Sequence, residues 1–281
     1  MRIDSHHHIW DLNVRPQTWM QGDELKPISR TILMNELEPE LDKANINYTV
    51  IVQTVPLVDE TPELLDLSIS HQKVCAVVGW LDLESEDIRP QLEKYLSHSG
   101  GKNLVSIRDM AQDKADPNWL LREDVIKNIH RVAEYGLTFD ILTRPPQLSA
   151  AIEMVKCSPN NTFVLDHISK PYIAKNEFQP WADQISQIAS NENVSVKVSG
   201  LFTEAKWSNW SNQTFRPYFD HILDSFSPSR MMFGSDWPVC LLAATYSQTI
   251  NLMEELTKEF TKTEQESFWS GTAKQSYRLK V

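Results

Sequence analysis

The chain has 281 residues, and its 27 lysines and arginines against 38 aspartates and glutamates give a formal net charge of −11. This acidic balance excludes a typical nucleic-acid binder, because such proteins need clustered positive charge to neutralise phosphates. The apolar content of 41%, with 9 Trp, 10 Phe and 7 Tyr, is enough for a large packed core and excludes disorder as the main state.

Eight short runs rich in β-branched and apolar residues predict eight β-strands. In chain order they are Arg2–Ser5, Tyr48–Thr54, Val74–Leu81, Leu104–Ile107, Leu137–Leu142, Thr162–Leu165, Val194–Val198 and Arg230–Phe233. Their starts lie on average about 33 residues apart, close to the roughly 31 residues of one βα unit in a (β/α)8 barrel. Several runs are apolar on both faces, which is typical of a parallel sheet covered by helices. We therefore predict an α/β fold, a single (β/α)8 TIM barrel that occupies residues 1–281 as one domain.

The segments between the strands contain helical spacing of apolar residues. It is clearest in Trp119–Ile129, Ser149–Val155 and Tyr246–Leu256. The long interval Asp11–Asn47 has no clear periodicity, and we expect a loop there that folds over the carboxyl end of the first strand. Loops at that end line the active site in barrels.

No stretch approaches the ~20 apolar residues of a membrane span, and the first residues lack the apolar core of a signal peptide. The three cysteines, Cys75, Cys157 and Cys240, form no CxxC pair, so we expect buried free thiols rather than a disulfide framework or a zinc knuckle. These features predict a cytoplasmic protein with neither a membrane nor a nucleic-acid partner.

The densest chemical signal is the run of three histidines near the start of the chain. Side chains alternate along a strand, so His6 and His8 point the same way and His7 points opposite. Two neutral imidazoles over a barrel mouth suit a divalent metal or a bound carboxylate. The alternatives are solvated histidines without function and a cloning tag, although a tag is normally longer and not embedded between Asp4 and Ile9.

Two further signals follow predicted strands directly. Asp166 and His167 come after the sixth strand, and Asp236 follows Gly234 at the exit of the eighth. Barrel enzymes keep catalytic groups at these carboxyl ends. The alternative for His167 is a structural histidine, and for Asp236 it is a turn or helix-capping role.

Basic and aromatic residues after other strands complete the candidate set. Arg108, Arg144 and Lys197 could each hold a carbonyl or carboxylate oxygen, or pair with a rim carboxylate instead. Lys197 lies inside an apolar strand, so we expect it to face inward with a carboxylate or ligand partner. Trp207 and Trp210 fit a sugar-stacking wall and core packing equally well.

Motifs of other enzyme classes are absent from the sequence. It contains no Gly-x-Ser-x-Gly elbow, Walker loop or GxGxxG after a strand, and its 8 glycines include one adjacent pair. Serine-hydrolase, kinase and dehydrogenase functions are therefore disfavoured.

Five motifs, in order along nearly the whole chain, resemble the amidohydrolase-2 branch of the amidohydrolase superfamily. They are Ile3–Asp11, Ile107–Arg108, Leu165–Pro171, Val196–Leu201 and Phe233–Pro238. Within that branch the chain is most similar to the sugar lactonases of the L-fuconolactonase and L-rhamnono-lactonase group, and more distantly to 2-pyrone-4,6-dicarboxylate lactonase.

The resemblance implies a barrel of the metal-dependent hydrolase type whose mouth carries His6, His8, His167 and Asp236. Two-metal members have a carboxylatable lysine after the fourth strand and a histidine on the fifth, whereas this chain has Arg108 and Asp140. A two-metal site is therefore not expected. Two alternatives stay open: one zinc-like divalent ion on the four mouth residues, or a metal-independent site.

The expected reaction is the hydrolysis of a sugar lactone to its aldonic acid. We assign catalysis to Asp236 as the base towards water and to His167 as the group that orients the carbonyl or protonates the leaving alkoxide. The oxyanion would be held by Arg108, by a metal on His6 and His8, or by these histidines themselves. Substrate binding is assigned to His6, His8, Arg144, Lys197 and Trp207. The alternatives are a metal-dependent decarboxylase of an aromatic carboxylic acid and a catalytically silent sugar-binding protein.

Overall fold

The computed structural model describes residues 1–281 and contains one eight-stranded parallel sheet that curls into a barrel. The strands are β1 (Ile3–His7), β2 (Tyr48–Val52), β3 (Val74–Gly79), β4 (Leu104–Asp109), β5 (Thr138–Ile141), β6 (Phe163–Leu165), β7 (Val194–Val198) and β8 (Met231–Phe233). Each strand pairs in parallel with the next one along the chain. All eight strands were predicted at these places, and the (β/α)8 fold is confirmed.

Helices follow the strands, and most of them cover the outside of the barrel. They are α1 (Met34–Lys43), α2 (Glu60–Ser70), α3 (Arg89–Leu96), α4 (Glu123–Glu134), α5 (Pro145–Lys156), α6 (Trp181–Ala189), α7 (Leu201–Glu204), α8 (Asn212–Phe226), α9 (Tyr246–Leu256), α10 (Lys262–Glu266) and α11 (Thr272–Tyr277). The side chain of Thr245 accepts a hydrogen bond from the Gln248 amide and so caps α9, which spans the predicted residues. None of the helices combines the length and the apolar character that a membrane span requires.

The segment between β1 and β2 differs in part from the predicted loop. Its second half is α1, whose Met34, Leu37 and Leu41 are buried at helical spacing. The prediction of a loop without periodicity was wrong for this half of the segment. The helix also contains Pro39, and an internal proline, which removes a backbone hydrogen bond, disfavours a helix. The first half lies over the barrel mouth, where Trp19 lines the cavity described below.

Polar contacts complete the barrel where β8 meets β1. The amide of Asp236 donates to the His6 carbonyl at 2.8 Å, and the amide of His8 donates to the Trp237 carbonyl at 2.6 Å. The amide of Ser235 donates to Asp4 Oδ1 at 2.8 Å. These bonds tie the histidine run of β1 to the segment that carries Asp236.

The lower interior of the barrel is apolar and is closed by the end of the chain. Its buried cluster comprises Ile3, Val50, Val52, Ala76, Val78, Val164, Met232, Ala273 and Tyr277. Because the last two belong to α11, this helix plugs the amino end and leaves the carboxyl end open. The cysteine expectation is correct only for Cys240, because Cys75 is partly exposed and Cys157 is exposed. Cys157 follows the last residue of α5 and ends at the surface.

Candidate active site

A cavity of about 390 Å³ opens at the carboxyl end of the barrel. Six residues selected from the sequence line it: His8, Arg108, Arg144, His167, Trp207 and Asp236. Five of them lie at or just after the ends of β1, β4, β5, β6 and β8, and Trp207 follows α7, so the barrel brings together residues that are far apart in the chain. His6 and Lys197, also predicted, lie below the cavity and are fully buried.

A bulge in β1 aims two of the three histidines at the mouth. The strand carries one extra residue between the pairs Asp4–Thr49 and His7–Ile51. His6 and His8 then share a face, with 3.1 Å between their Nε2 atoms. His7 points the other way, as strand alternation predicts, and its Nε2 contacts Thr49 Oγ1 at 3.0 Å.

His167 lies in a turn of unusual backbone geometry after β6. Its φ is 52°, in the left-handed region, and its Nδ1 is 2.9 Å from Ser199 Oγ. The ring packs over Gly200, where a Cβ would come within 2.9 Å of His167 Cγ. Glycine at 200 is therefore required for the ring to occupy this position.

Asp236 sits at the centre of the histidines. Its φ is 57°, and its Oδ1 lies 3.5 Å from His8 Nε2, 3.8 Å from His6 Nε2 and 3.9 Å from His167 Nε2. The close approach of β8 to β1 depends on Gly234, because a Cβ there would lie 2.8 Å from the Cβ of His6.

The charge states of these groups follow from burial and from their neighbours. Burial lowers the pKa of His167 to about 3 and that of His6 well below its ordinary value, so both imidazoles are neutral at pH 7. Burial alone would raise the Asp236 pKa, but the neighbouring imidazoles of His167 and His8 outweigh it and hold the pKa below its usual value. Asp236 is therefore an ionised carboxylate next to the neutral rings of His6 and His167.

This donor set fits one divalent ion. His6, His167 and Asp236 each offer a ligand atom, and these atoms lie within 4.8 Å of one another. A tetrahedral ion with bonds of about 2.1 Å places its ligand atoms about 3.4 Å apart, close to the distances around Asp236. The Nδ1 atom of His8 lies 2.7 Å from the Val52 carbonyl, to which it donates, so Nε2 is left free as a ligand. Three imidazoles and a carboxylate are ligands that zinc prefers.

Beneath His6 lies a group of buried charges, which we call the lower charge layer: Asp140, Asp166 and Lys197. Lys197 Nζ lies 2.6 Å from Asp140 Oδ2 and 3.0 Å from Asp166 Oδ1, and Arg108 Nη1 lies 3.0 Å from Asp166 Oδ2. Lys197 therefore faces inward with carboxylate partners, as its strand position predicts. Substrate binding by Lys197 conflicts with this geometry, because the residue is fully buried and its Nζ lies 3.3 Å from Nδ1 of the overlying His6.

The lower charge layer also supports His6 and Arg108. His6 Nδ1 is 3.5 Å from Asp166 Oδ1, and Arg108 Nη2 donates to the Gln53 carbonyl at 2.6 Å. Arg108 Nη1 is 3.4 Å from His6 Nε2. A guanidinium tied in this way has a fixed position at the cavity floor.

The cavity wall contains functional candidates that the sequence reasoning did not assign. Lys170 and Glu204 line it, as does Trp19 from the segment after β1. Lys170 stands in the motif after β6 and Glu204 follows β7, so position after a strand was the available signal. The two tryptophans of the predicted pair differ, because Trp207 lines the cavity while Trp210 packs against Phe202, with ring centroids 4.7 Å apart.

The chain matches one family and several curated relatives over most of its length. The match to the family described as amidohydrolase covers residues 3–279. An L-fucono-1,5-lactonase of Burkholderia ambifaria is 35% identical over 87% of this chain and 83% of its own length. An L-fucono-1,5-lactonase of Burkholderia multivorans is 31% identical over 99% of this chain and 96% of its own.

Solved structures share the barrel fold and differ in their sequence identity to this chain. A crystal structure of an amidohydrolase from Burkholderia multivorans with bound Zn is 32% identical, with a TM-score of 0.92 over 99% of both chains. A 2,6-dihydroxybenzoate decarboxylase from Rhizobium is 12% identical, with a TM-score of 0.67 over 99% of this chain and 98% of its own. The second similarity shows the fold alone.

Proposed function

Because the chain belongs to the amidohydrolase family, we propose that it is a hydrolase that opens a sugar lactone to its aldonic acid. The observation that carries this proposal is the position of the Asp236 carboxylate in the cavity, where its Oδ1 lies within 3.9 Å of Nε2 of His6, His8 and His167. The two L-fucono-1,5-lactonases, at 35% and 31% identity, support the same reaction.

In this reaction Asp236 removes a proton from water, and the resulting hydroxide adds to the lactone carbonyl carbon. The low pKa of Asp236 makes it a weak base at pH 7, so nearby positive charge must lower the barrier. Arg108 supplies such charge, because it lines the cavity and its position is fixed by Asp166 and Gln53. We assign Arg108 the role of stabilising the oxyanion that develops on the carbonyl oxygen.

The ring ester bond then breaks, and the ring oxygen leaves as an alkoxide that takes up the proton Asp236 removed from water, which gives the hydroxy acid and returns Asp236 to its ionised state. A pKa of about 3 means that His167 carries no excess proton at pH 7. Of its two predicted roles, we therefore favour orientation of the carbonyl over protonation of the alkoxide.

A divalent ion held by His6, His8, His167 and Asp236 would supply further positive charge, polarising the carbonyl and acidifying the attacking water. We further propose that residues 1–281 act as one domain, in the cytoplasm and without nucleic-acid or membrane partners. The net charge of −11 supports the absence of nucleic acid. The plugging of the barrel by α11 supports the single domain.

The test is a pH-indicator screen of aldonolactones, with the protein assayed before and after chelator treatment. We expect acid release from at least one lactone, and Asp236→Asn should cut turnover at least about a hundredfold with the fold intact. Asp224→Asn on the exposed side of α8 is the matched control and should keep full activity. Near-normal turnover by Asp236→Asn would contradict the assignment, and release of CO₂ from an aromatic acid would favour the decarboxylase.

A further inference from the structure

The turn after β6 holds an unusual backbone conformation at the cavity wall. His167, Ile168, Ser169 and Lys170 are four successive non-glycine residues with φ between 47° and 57°. A left-handed conformation costs an L-residue roughly 1–2 kcal/mol, and β-branched Ile168 is among the residues least suited to it. Such strain persists only where the surrounding structure enforces it.

Two contacts from the surrounding fold hold the turn in place. Trp181 Nε1 donates to the Ile168 carbonyl at 2.7 Å, and Thr143 Oγ1 lies 2.8 Å from Ser169 Oγ. Both partners of these contacts are buried. The turn is therefore built into the barrel, and one consequence is that Lys170 lines the cavity alongside His167.

The ammonium of Lys170 is half-buried and has no protein partner. No acceptor lies within hydrogen-bond distance of Nζ and no carboxylate lies within 4.0 Å of it. Burial lowers the Lys170 pKa, and the charge of Glu204 is the largest influence that opposes this. The Glu204 carboxylate is likewise half-buried and unpaired, and Lys170 is the strongest charge acting on it.

Lys170 and Glu204 thus attract each other across a gap wider than a direct ion pair. Both line the cavity, so the gap is open to whatever the cavity holds. A hydroxyl group is both donor and acceptor. Neighbouring hydroxyls can therefore accept from the ammonium and donate to the carboxylate, which satisfies both charges.

The total charge of the lining indicates the kind of ligand. Its three cations are Arg108, Arg144 and Lys170, and its three carboxylates are Asp113, Glu204 and Asp236. The lining is formally neutral at pH 7, in contrast to the cationic patch that the basic residues alone suggest. A neutral polar lining favours an uncharged polar ligand over a di- or tricarboxylate.

We propose that Lys170 and Glu204 bind ring hydroxyl groups of the substrate and so make the site specific for an uncharged, polyhydroxylated lactone. This inference rests on the proposed function and adds two specificity-determining residues to it. Lys170 donates to one hydroxyl oxygen, and Glu204 accepts from an adjacent hydroxyl.

The experiment compares two six-membered lactones, a polyhydroxylated aldonolactone and unsubstituted δ-valerolactone, at enzyme concentrations that give measurable wild-type turnover. For Lys170→Met and Glu204→Met we expect kcat/KM to fall about tenfold to a hundredfold with the aldonolactone. With δ-valerolactone, which has no hydroxyls to bind, the change should stay within about threefold. Lys175→Met is the matched control, because Lys175 is exposed in the same connection and lies outside the cavity.

A second measurement does not depend on turnover. A pyranose sugar has ring hydroxyls and no lactone carbonyl, so it should raise the Tm of the wild type and of Lys175→Met but not that of either cavity variant. Equal losses on both lactones would overturn the proposal by placing Lys170 at the reacting atoms. Unchanged kinetics, or pyranose stabilisation that is absent from the wild type or equal in all variants, would also overturn it. If the wild type opens no lactone yet responds to the pyranose, the proposed function fails and the hydroxyl site stands.

Discussion

Buried charges are paired in the lower charge layer and unpaired on the cavity wall. In the lower charge layer Lys197 lies 2.6 Å from Asp140 and 3.0 Å from Asp166. On the wall, Lys170 has no carboxylate and Glu204 has no cation within 4.0 Å. An unpaired buried charge costs free energy, so a fold pairs the charges that it needs for its own structure. The paired charges of the lower charge layer therefore stabilise the framework of the barrel, whereas the unpaired charges on the wall are available to bind a ligand.

The strongest test of this difference is to replace one lysine in each region. Lys197→Met leaves Asp140 and Asp166 without their shared cation, and we expect the free energy of unfolding to fall by about 3–5 kcal/mol. Lys170→Met removes an unpaired charge and should change it by less than about 0.5 kcal/mol. Urea unfolding of both variants measures the contrast. Equal losses would mean that the wall is also framework.

The sequence predicts the framework of the barrel more completely than the residues of the cavity wall. Strand order and the clustering of His8, His167 and Asp236 follow from the rule that carboxyl ends of parallel strands meet at one face. Lys197 as an inward, paired residue followed from the cost of burying a lysine alone. Lys170 also follows a strand, but its place in the cavity depends on a left-handed turn of ordinary residues that is enforced by distant contacts such as that of Trp181. The sequence shows no sign of that turn.

The pH dependence of stability offers a second test, because His7 belongs to the framework and faces away from the cavity. Burial lowers the pKa of His7 to about 3, while in the unfolded chain an imidazole titrates near 6.5. Between these two pKa values the unfolded state binds a proton that the folded state does not bind. The contribution of His7 to the free energy of unfolding is therefore fully present above pH 6.5 and is lost as the pH falls towards 3. His7 contributes about 1.4 kcal/mol per pH unit to this loss.

We expect His7→Gln to make the fall in unfolding free energy between pH 6 and pH 4 shallower by about 2.5 kcal/mol. Denaturant unfolding at a series of pH values measures this slope. Turnover at pH 7 should be unchanged, because His7 contacts Thr49 and not the cavity. An unaltered slope would show that the imidazole is already charged in the folded protein.

The smallest expected effect comes from the floor of the barrel, where Tyr277 in α11 donates to Asp140 Oδ2 at 2.7 Å. Tyr277→Phe removes this donor and should cost about 1.5 kcal/mol of unfolding free energy, because the acceptor is charged. Tyr95→Phe is the matched control, since the Tyr95 hydroxyl donates at 2.8 Å to the neutral Val58 carbonyl, and it should cost about 1 kcal/mol. Both variants should keep kcat and KM within about twofold. A loss of kcat in Tyr277→Phe without a loss of stability would move the lower charge layer from the framework into the mechanism, because Asp140 reaches His6 only through Lys197.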